Sequence, residues 1–309
     1  MTPASARAIA LACMLFALPA AAQPPTMERL WPNEDGRSWS YDQHYEELGF
    51  GTDIVDNQVR VWFDGTTVAP TGIEAQYLRQ ELVGGSTAPA RSATAALAAA
   101  IPDPLLRAVW VARPDLRARI EAAAAEAPCP QVHPPGAYAL LLGGEFAWRR
   151  TADEVAAWRC NLANTRSWLW LVSDLTIGNT FTLQLIPDLA SDVLLHGTIA
   201  AIEPASVPAG TFQDCVRVDY VIDYGTSSCT DPSGNPMGTS RSETRGYVRY
   251  APDVGPVESL EQWFPVVEST DGCGGFPIGQ PATLTTMQLS SLPVPARLAS
   301  WGRLKAAYR

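Results

Sequence analysis

The sequence predicts a mainly β protein of the α+β class, built on a large curved antiparallel sheet or an open flattened barrel with a helical, Ala- and Pro-rich insertion. The main reason is that short runs rich in β-branched and aromatic residues recur, three before residue 84 and seven after residue 167. Gly, Pro, Asn or Asp bounds each run, at intervals that favour a meander over strands separated by crossover helices. With 47% hydrophobic and 17% charged residues, the chain of 309 residues has a globular composition and enough length for a sizeable core.

The first 22 residues have the pattern of a secretory signal peptide. Arg7 precedes the apolar stretch Ala8–Leu18, which is followed by Pro19 and three alanines. The stretch is too short to cross a bilayer, and the small residues before Gln23 suit cleavage by a signal peptidase. We therefore expect residues 1–22 to be removed and the protein to be periplasmic or extracellular.

A lipid anchor is the alternative, because Cys13 follows Ala10, Leu11 and Ala12. In that case fewer apolar residues would precede the cleavage point than a signal peptide normally has. Beyond the signal peptide, no uninterrupted apolar run reaches the ~18 residues that a membrane span needs. We therefore expect no membrane span.

The charge balance disfavours nucleic acid as a partner. Beyond residue 22 the chain has 21 basic and 32 acidic side chains. Lys305 is the only lysine and the arginines are scattered, whereas binding to a phosphate backbone needs clustered Lys and Arg. We interpret the acidity as a contribution to solubility.

Residues 23–84 are predicted to form an N-terminal β-meander with an aromatic inner face. A run over Gln58–Phe63 meets Asp64 and Gly65, a dipeptide that is typical of hairpin turns. The return strand is expected over Ile73–Leu82.

Residues 85–166 are predicted to form a helical insertion. Asp103 and Pro104 have the types expected for an N-cap followed by a first-turn proline, and a second helix is expected over Leu116–Ala125. The stretch is rich in Ala and Pro, and we interpret it as an insertion or a hinge between two β regions.

A further short helix is predicted near the end of this insertion. Thr151 and Glu154 match the S/T-x-x-E capping box, and the helix is expected to end near Cys160.

Residues 167–292 are predicted to form a C-terminal antiparallel β region, and residues 293–309 a tail or a short helix. The expected strands are Trp168–Leu171, Thr180–Ile186, Val193–Ile202, Phe212–Tyr224, Thr244–Tyr250, Val257–Phe264 and Ala282–Leu289. In the fourth strand, apolar Val216 and Val218 alternate with polar Arg217 and Asp219. One face of this strand is therefore expected to be wet or to line a polar cavity.

Two motifs in the second β region resemble motifs of exported bacterial proteins. They are Val207–Phe212, which reads VPAGTF, and Tyr250–Val257, which reads YAPDVGPV. The segment Trp31–Asp42 is similar to the start of the same proteins. Over residues 30–83 and 136–289 the chain resembles uncharacterised exported proteins, including those called TapB-like or domain of unknown function. The resemblance implies a secreted β fold and no particular activity.

The conspicuous residues of these motifs are turn formers, namely Pro208, Gly210, Phe212, Pro252 and Gly255. Proline fixes φ for a turn, and glycine takes backbone conformations that are closed to other residues. We interpret both motifs as hairpin devices rather than as reactive centres.

The sequence identifies no catalytic, cofactor-binding or metal-ligating residues. It lacks G-x-S-x-G, H-E-x-x-H, C-x-x-C and a glycine-rich phosphate loop. His44, His133 and His196 do not have the spacing of metal ligands. The segment 231–235 resembles the start of a calcium loop, but Pro236 replaces the required glycine, so a plain turn is favoured.

The cysteines predict two disulfides in the mature protein. Removal of Cys13 leaves five cysteines, which two disulfides and one thiol can arrange in 15 ways. From their positions in loops and at strand ends, we predict pairs between Cys129 and Cys160 and between Cys229 and Cys273. We expect Cys215, in the middle of a strand, to be a buried free thiol.

Two functional hypotheses follow. The favoured one is a non-catalytic secreted or periplasmic protein that binds an apolar ligand or an envelope protein through a face of its sheet. The alternative is a secreted hydrolase with unrecognised catalytic residues. The ten tryptophans are interpreted as core residues rather than as sugar-binding platforms.

Overall fold

The computed structural model describes residues 25–48, 54–68, 74–85, 104–126, 146–150, 154–159, 168–186, 189–231, 233, 235–270, 273 and 276–294. These residues form one large antiparallel sheet with a few short helices. The predicted signal peptide, the C-terminal tail, Cys129, Cys160 and His133 lie outside the described residues.

The sheet has twelve strands. They are β1 (Ser38–Glu47), β2 (Ile54–Val68), β3 (Glu74–Gly85), β4 (Phe146–Arg150), β5 (Glu154–Arg159), β6 (Trp168–Val172), β7 (Thr180–Ile186), β8 (Ala190–Val207), β9 (Gly210–Thr230), β10 (Pro236–Ala251), β11 (Gly255–Ser269) and β12 (Thr283–Val294). Their order is β6-β5-β4-β3-β2-β1-β12-β11-β10-β9-β8-β7. Two six-stranded meanders are therefore joined where the first strand pairs with the last. The prediction of a mainly β fold with a large open antiparallel sheet is confirmed.

The alternation of side chains along the strands separates the two faces of the sheet. On β9, Val216, Val218 and Ile222 are buried, whereas Arg217 and Asp219 are partly exposed. We call the face that carries these buried side chains the inner face. The other face of β9 is lined by ion pairs, such as Arg217 Nε to Asp219 Oδ1 at 2.6 Å.

The sheet curves around its inner face. The indole Nε1 of Trp39 on β1 donates a hydrogen bond to the carbonyl of Val254 (2.6 Å), and the hydroxyl of Tyr41 donates to the carbonyl of Pro256 (2.9 Å). Both bonds reach across β12, which lies between β1 and β11 in the sheet. The edge strands β6 and β7 are joined by residues 173–179 and contact each other.

Three helices and a 3-10 turn accompany the sheet. They are α1 (Met27–Leu30), α2 (Pro104–Ala112), the 3-10 turn Pro114–Leu116 and α3 (Arg117–Glu126). Helix α2 begins at Pro104, and the second predicted helix corresponds to α3. Val109, Trp110 and Ile120 are buried in the common core. None of the helices in the described part of the chain has the length and apolarity that a membrane span needs.

The predicted hairpin turn at Asp64 and Gly65 is wrong. Strand β2 continues through these residues to Val68, and its pairing with β3 shifts register between Phe63 and Thr66. The backbone N–H of Gly65 donates to Oδ1 of Asp35 (2.8 Å), so the two residues form a bulge that another segment holds.

The predicted helix after Thr151 is also wrong. Glu154–Arg159 forms strand β5, which pairs with β4 and β6. A six-residue helix gains little stability by itself, whereas the same residues supply backbone partners to two neighbouring strands and bury Val155. Sheet pairing therefore overrides the capping signal.

Candidate ligand-binding cavity

A cavity of about 150 Å³ lies between helix α2 and the inner face of the sheet. Its described lining consists of Tyr45, Glu47, Ala108, Val111, Tyr224, Thr244, Glu261, Trp263, Thr283 and Thr285. Ala108 and Val111 are one helical turn apart and form the helical wall. The other eight residues come from five strands.

Sheet register brings the strand residues together in two neighbouring rows. In the first row, Glu47 lies opposite Thr283, Thr283 opposite Trp263, and Trp263 opposite Thr244. The row therefore crosses β1, β12, β11 and β10, with one side chain from each strand.

The second row runs parallel to the first, two residues further along each strand. Tyr45 lies opposite Thr285, Thr285 opposite Glu261, Glu261 opposite Gly246, and Gly246 opposite Tyr220. Residues two apart on a strand share a face, so both rows point to the inner side of the sheet.

Gly246 lets the Tyr220 ring lie across β10. A Cβ at Gly246 would be 2.7 Å from the Tyr220 hydroxyl and 2.4 Å from the carbonyl oxygen of Leu260. The Tyr220 hydroxyl therefore reaches over β10 and donates a hydrogen bond to Oε2 of Glu261 at 2.6 Å. Burial, together with the Glu261 carboxylate, raises the pKa of Tyr220 well above its ordinary value, so the phenol remains a donor.

Two aromatic rings of the lining, those of Tyr224 and Trp263, are fixed by their neighbours. The hydroxyls of Tyr224 and Thr244 form a buried hydrogen bond of 2.8 Å, and burial raises the pKa of Tyr224. Trp263 packs edge-on against Phe276, with 6.3 Å between ring centroids. These contacts preorganise the rings before any ligand enters.

The helical wall is attached to the sheet by Arg113, which follows α2 and is 6% exposed. Its guanidinium donates to Asp115 (2.8 Å), to Asp192 at the start of β8 (2.7 Å) and to the carbonyl of Tyr224 on β9 (3.0 Å). Ser227 donates a further hydrogen bond to Asp115 (3.0 Å). This network fixes the end of α2 beside the cavity.

The lining of the cavity is mostly apolar and carries a few polar groups. Aromatic and aliphatic groups form most of the wall, and two carboxylates and three threonine hydroxyls are placed among them. Within the described ranges, no three His, Cys, Asp or Glu residues are grouped as metal ligands would be.

A second, polar cavity lies at β1, β2 and β12, and His44 is among its lining residues. Nδ1 of His44 lies 2.7 Å from Oδ1 of Asp56, and Thr286 lies opposite His44 in the register. The side chains of His44 and Asp56 are 39% and 77% exposed. A contact so open to water contributes little energy, and no hydrogen bond joins His44 to Thr286 in the described structure.

The structure pairs Cys229 with Cys273, as the loop positions predicted, and leaves Cys215 as a buried free thiol. Burial raises the pKa of the Cys215 thiol to about 11. The predicted Cys129–Cys160 pair lies outside the described residues. His196 is exposed and contacts Thr182 at 3.0 Å.

The predicted turn residues occupy two hairpins away from the cavity. Gly210 and Gly255 have φ angles of 136° and 100°. Near Gly255, Arg29 binds the Asp253 carboxylate (2.6 Å), and the rings of Trp31 and Tyr250 lie 6.2 Å apart. Pro208, Phe212 and Pro252 accompany these hairpins. The Trp31–Asp42 segment therefore contacts the Tyr250–Val257 motif, and both are structural elements.

Sequence reasoning did not single out the cavity residues. The available signal was a break in the core pattern, since Thr244, Glu261, Thr283 and Thr285 are polar residues at inner-face positions. A closed core would place apolar residues there. Recognising the break requires the register between strands, which the sequence did not supply.

No family model and no curated protein matches the sequence. Three solved structures match the chain, each with a TM-score below 0.5. A protein with a YmcC-like fold and inferred export from Bacteroides fragilis is 11% identical, with a TM-score of 0.37, over 86% of this chain and 98% of that one. An inferred lipoprotein from Parabacteroides distasonis is 11% identical, with a TM-score of 0.30, over 87% and 99%. A LolA superfamily protein from Nitrosomonas europaea is 8% identical, with a TM-score of 0.21, over 90% and 95%.

Proposed function

We propose that this chain is a non-catalytic secreted or periplasmic binding protein that holds an apolar ligand between α2 and the inner face of its sheet. The observation that carries the proposal is the cavity itself, whose wall combines Trp263, Tyr45 and Tyr224 with Ala108 and Val111 of the helix. Mostly apolar cavities with a few converging polar groups are the usual form of small-ligand sites.

The location follows from the N-terminal sequence. The signal peptide expected over residues 1–22 and the disulfide between Cys229 and Cys273 both suit an oxidising compartment outside the cytoplasm. The outer face of β8 to β11, with its ion pairs, then faces water, and the inner face supplies the ligand site.

The site can be tested with N-phenyl-1-naphthylamine, a neutral apolar dye that fluoresces when it leaves water. We expect saturable binding by the secreted protein. Ala108→Trp fills the cavity from the helical wall and is expected to weaken binding at least ~10-fold, because the added indole occupies the ligand's volume.

Ala122→Trp is the matched control, since Ala122 is an exposed alanine of the neighbouring helix α3. It introduces the same side chain outside the cavity and should bind the dye as the unchanged protein does. Equal binding by Ala108→Trp and Ala122→Trp, or no saturable binding by the unchanged protein, would contradict the proposal.

A further inference from the structure

The cavity has a charge as well as an apolar wall. Glu47 and Glu261 both belong to its lining, and the described lining residues include no Lys, Arg or His. Among the described residues, Glu47 has no ion-pair partner. The charged residues among the described lining are therefore all acidic, and such a wall is poorly matched to a fatty acid or another anionic amphiphile.

We propose that the ligand is a cationic amphiphile, with a protonated amine or quaternary ammonium head on an apolar tail. This inference rests on the proposed function and specifies the ligand class for the same cavity. The head would lie between the two carboxylates and the aromatic rings, and the tail would lie against Ala108 and Val111 of α2.

The aromatic residues support this assignment. Trp263, Tyr45 and Tyr224 all contribute to the wall. The faces of Trp and Tyr rings attract ammonium groups, most strongly where water is excluded, and quaternary ammonium ligands are commonly held in such aromatic cages. Trp263 and Glu261 are two residues apart on β11, so a ring and a carboxylate are presented on the same side of one strand.

The carboxylate of Glu261 is held in place at the cavity wall. Tyr220 donates a hydrogen bond to Oε2 of Glu261, and the raised pKa of Tyr220 keeps this hydroxyl protonated. Glu261 is only 7% exposed, and a cation inside the cavity would be attracted more strongly there than at a surface glutamate.

Isothermal titration calorimetry with three compounds that have an eight-carbon chain tests the assignment. Octyltrimethylammonium, octanol and octanoate have positive, neutral and negative heads, the carboxyl carbon of octanoate being part of its chain, and each is used below its micelle concentration or solubility limit. We expect the cation to bind about 10-fold more tightly than octanol, which corresponds to one favourable cation–π or ion-pair contact, and octanoate to bind most weakly.

Glu47→Gln is expected to reduce the preference for the cation over octanol by several-fold, because it removes one of the two carboxylates of the lining. Glu46→Gln is the matched control. It removes the same charge, and Glu46 is next to Glu47 on β1 but lies on the opposite face of the sheet. It should retain the preference. Glu261→Gln should act like Glu47→Gln, and if Glu261→Gln does not fold, Glu47→Gln alone decides the outcome.

The two proposals fail in different ways. If octyltrimethylammonium, octanol and octanoate bind equally well, or octanoate binds best, the inference about charge is wrong and the apolar site stands. If Glu46→Gln and Glu47→Gln reduce the preference equally, the effect is one of net charge, and the inference is again wrong. If neither the dye nor any of the three compounds binds, the proposed function fails with it.

Discussion

Gly246 determines how the Tyr220 side chain can reach Glu261 in the cavity wall. It lies between Tyr220 and Glu261 in the second row, and it has room for a hydrogen atom but not for a methyl group. The hydrogen bond from Tyr220 to Glu261 passes over this residue. The missing side chain at Gly246 therefore allows the hydrogen bond that positions the Glu261 carboxylate.

Gly246→Ala is expected to destabilise the protein by about 2 kcal/mol, because the new Cβ would meet the Leu260 carbonyl at 2.4 Å and must displace backbone. Gly84→Ala on β3 is the control, since its Cβ would meet only Gln58 Oε1, at 3.7 Å, and its effect should stay within about 0.5 kcal/mol. Urea unfolding measures both. Equal midpoints for the two variants would show that β10 has room for the added carbon.

Asp115 predicts a component of acid sensitivity. Burial alone would raise the pKa of Asp115, but the hydrogen bonds and charge of Arg113 outweigh it and hold that pKa below its ordinary value. A lowered folded-state pKa adds stability above the unfolded value of about 3.9, and this stability is lost as the pH falls through the folded value.

Asp115→Asn should therefore flatten the decline of unfolding free energy below about pH 4. Since the Asp115 side chain is 34% exposed, the contribution is expected to be roughly 1 kcal/mol or less after solvent screening. Urea unfolding at several pH values between about 2 and 5 measures the slope. An unchanged acid limb in Asp115→Asn would contradict the assigned role of the pair.

Helix α2 is held at its C-terminal end by the hydrogen bonds of Arg113. The guanidinium connects the helical segment to β8 and β9, which are far from it in sequence. Trp110 adds a second attachment within the helical segment, through a 2.9 Å hydrogen bond to Glu121 and through Arg117 lying 4.2 Å above its ring. These contacts fix the C-terminal end of the helical wall of the cavity.

Arg113→Met is expected to lower the free energy of unfolding by about 2–4 kcal/mol, because it removes the guanidinium that donates to two carboxylates and to the buried carbonyl of Tyr224. Hydrogen exchange should accelerate in residues 104–126 more than in β9 to β11. Arg60→Met, which removes an exposed pair with Glu81 at 3.4 Å, is the control and should cost less than about 1 kcal/mol. Similar losses for Arg113→Met and Arg60→Met would contradict the role of Arg113.

The order of the elements could be predicted from the sequence better than their ends. All seven strands predicted after residue 167 occur, because period-two alternation and bounding turn residues are local signals. The bulge at Asp64 and Gly65 depends on Asp35, some 30 residues away, and β5 depends on two partner strands. Neither of these long-range interactions can be recognised from the local sequence.

The candidate site could not be predicted from local sequence for the same reason. Its ten described residues come from α2 and from five strands that span residues 45 to 285, and they meet only through the register of the sheet. The alternation over Val216 to Ile222 predicts a buried apolar face, and the burial of these residues confirms it. Polar residues interrupt the apolar inner face at Thr244, Glu261, Thr283 and Thr285. They line a common cavity only because β10, β11 and β12 are adjacent in the sheet.

At the scale of the whole molecule, a disulfide links Cys229, near the end of β9, to Cys273, in the connection between β11 and β12. Cys229 and Cys273 are separated by 44 residues, for which the loop-entropy model gives a stabilisation of about 4 kcal/mol. Cys229→Ala/Cys273→Ala should lower the unfolding midpoint accordingly, and reductant should then have no further effect through this pair.

Peptide mapping of protein that has been alkylated before reduction tests the assignment directly. Under native conditions the Cys215 thiol should escape label, because it is buried and its pKa is raised to about 11. After unfolding without reductant it should become labelled. Label on Cys229 or Cys273, or a linkage through Cys215, would overturn the pairing.

The central claim is that the inner face of the sheet and helix α2 enclose a ligand site. Hydrogen exchange with and without saturating N-phenyl-1-naphthylamine tests it most directly. We predict that the dye slows exchange at residues 104–112 and around residues 45–47, 261–263 and 283–285. Exchange at the 208–212 turn, which is not part of the lining, should not change. Unchanged exchange in these four segments, or protection confined to other parts of the chain, would contradict the claim.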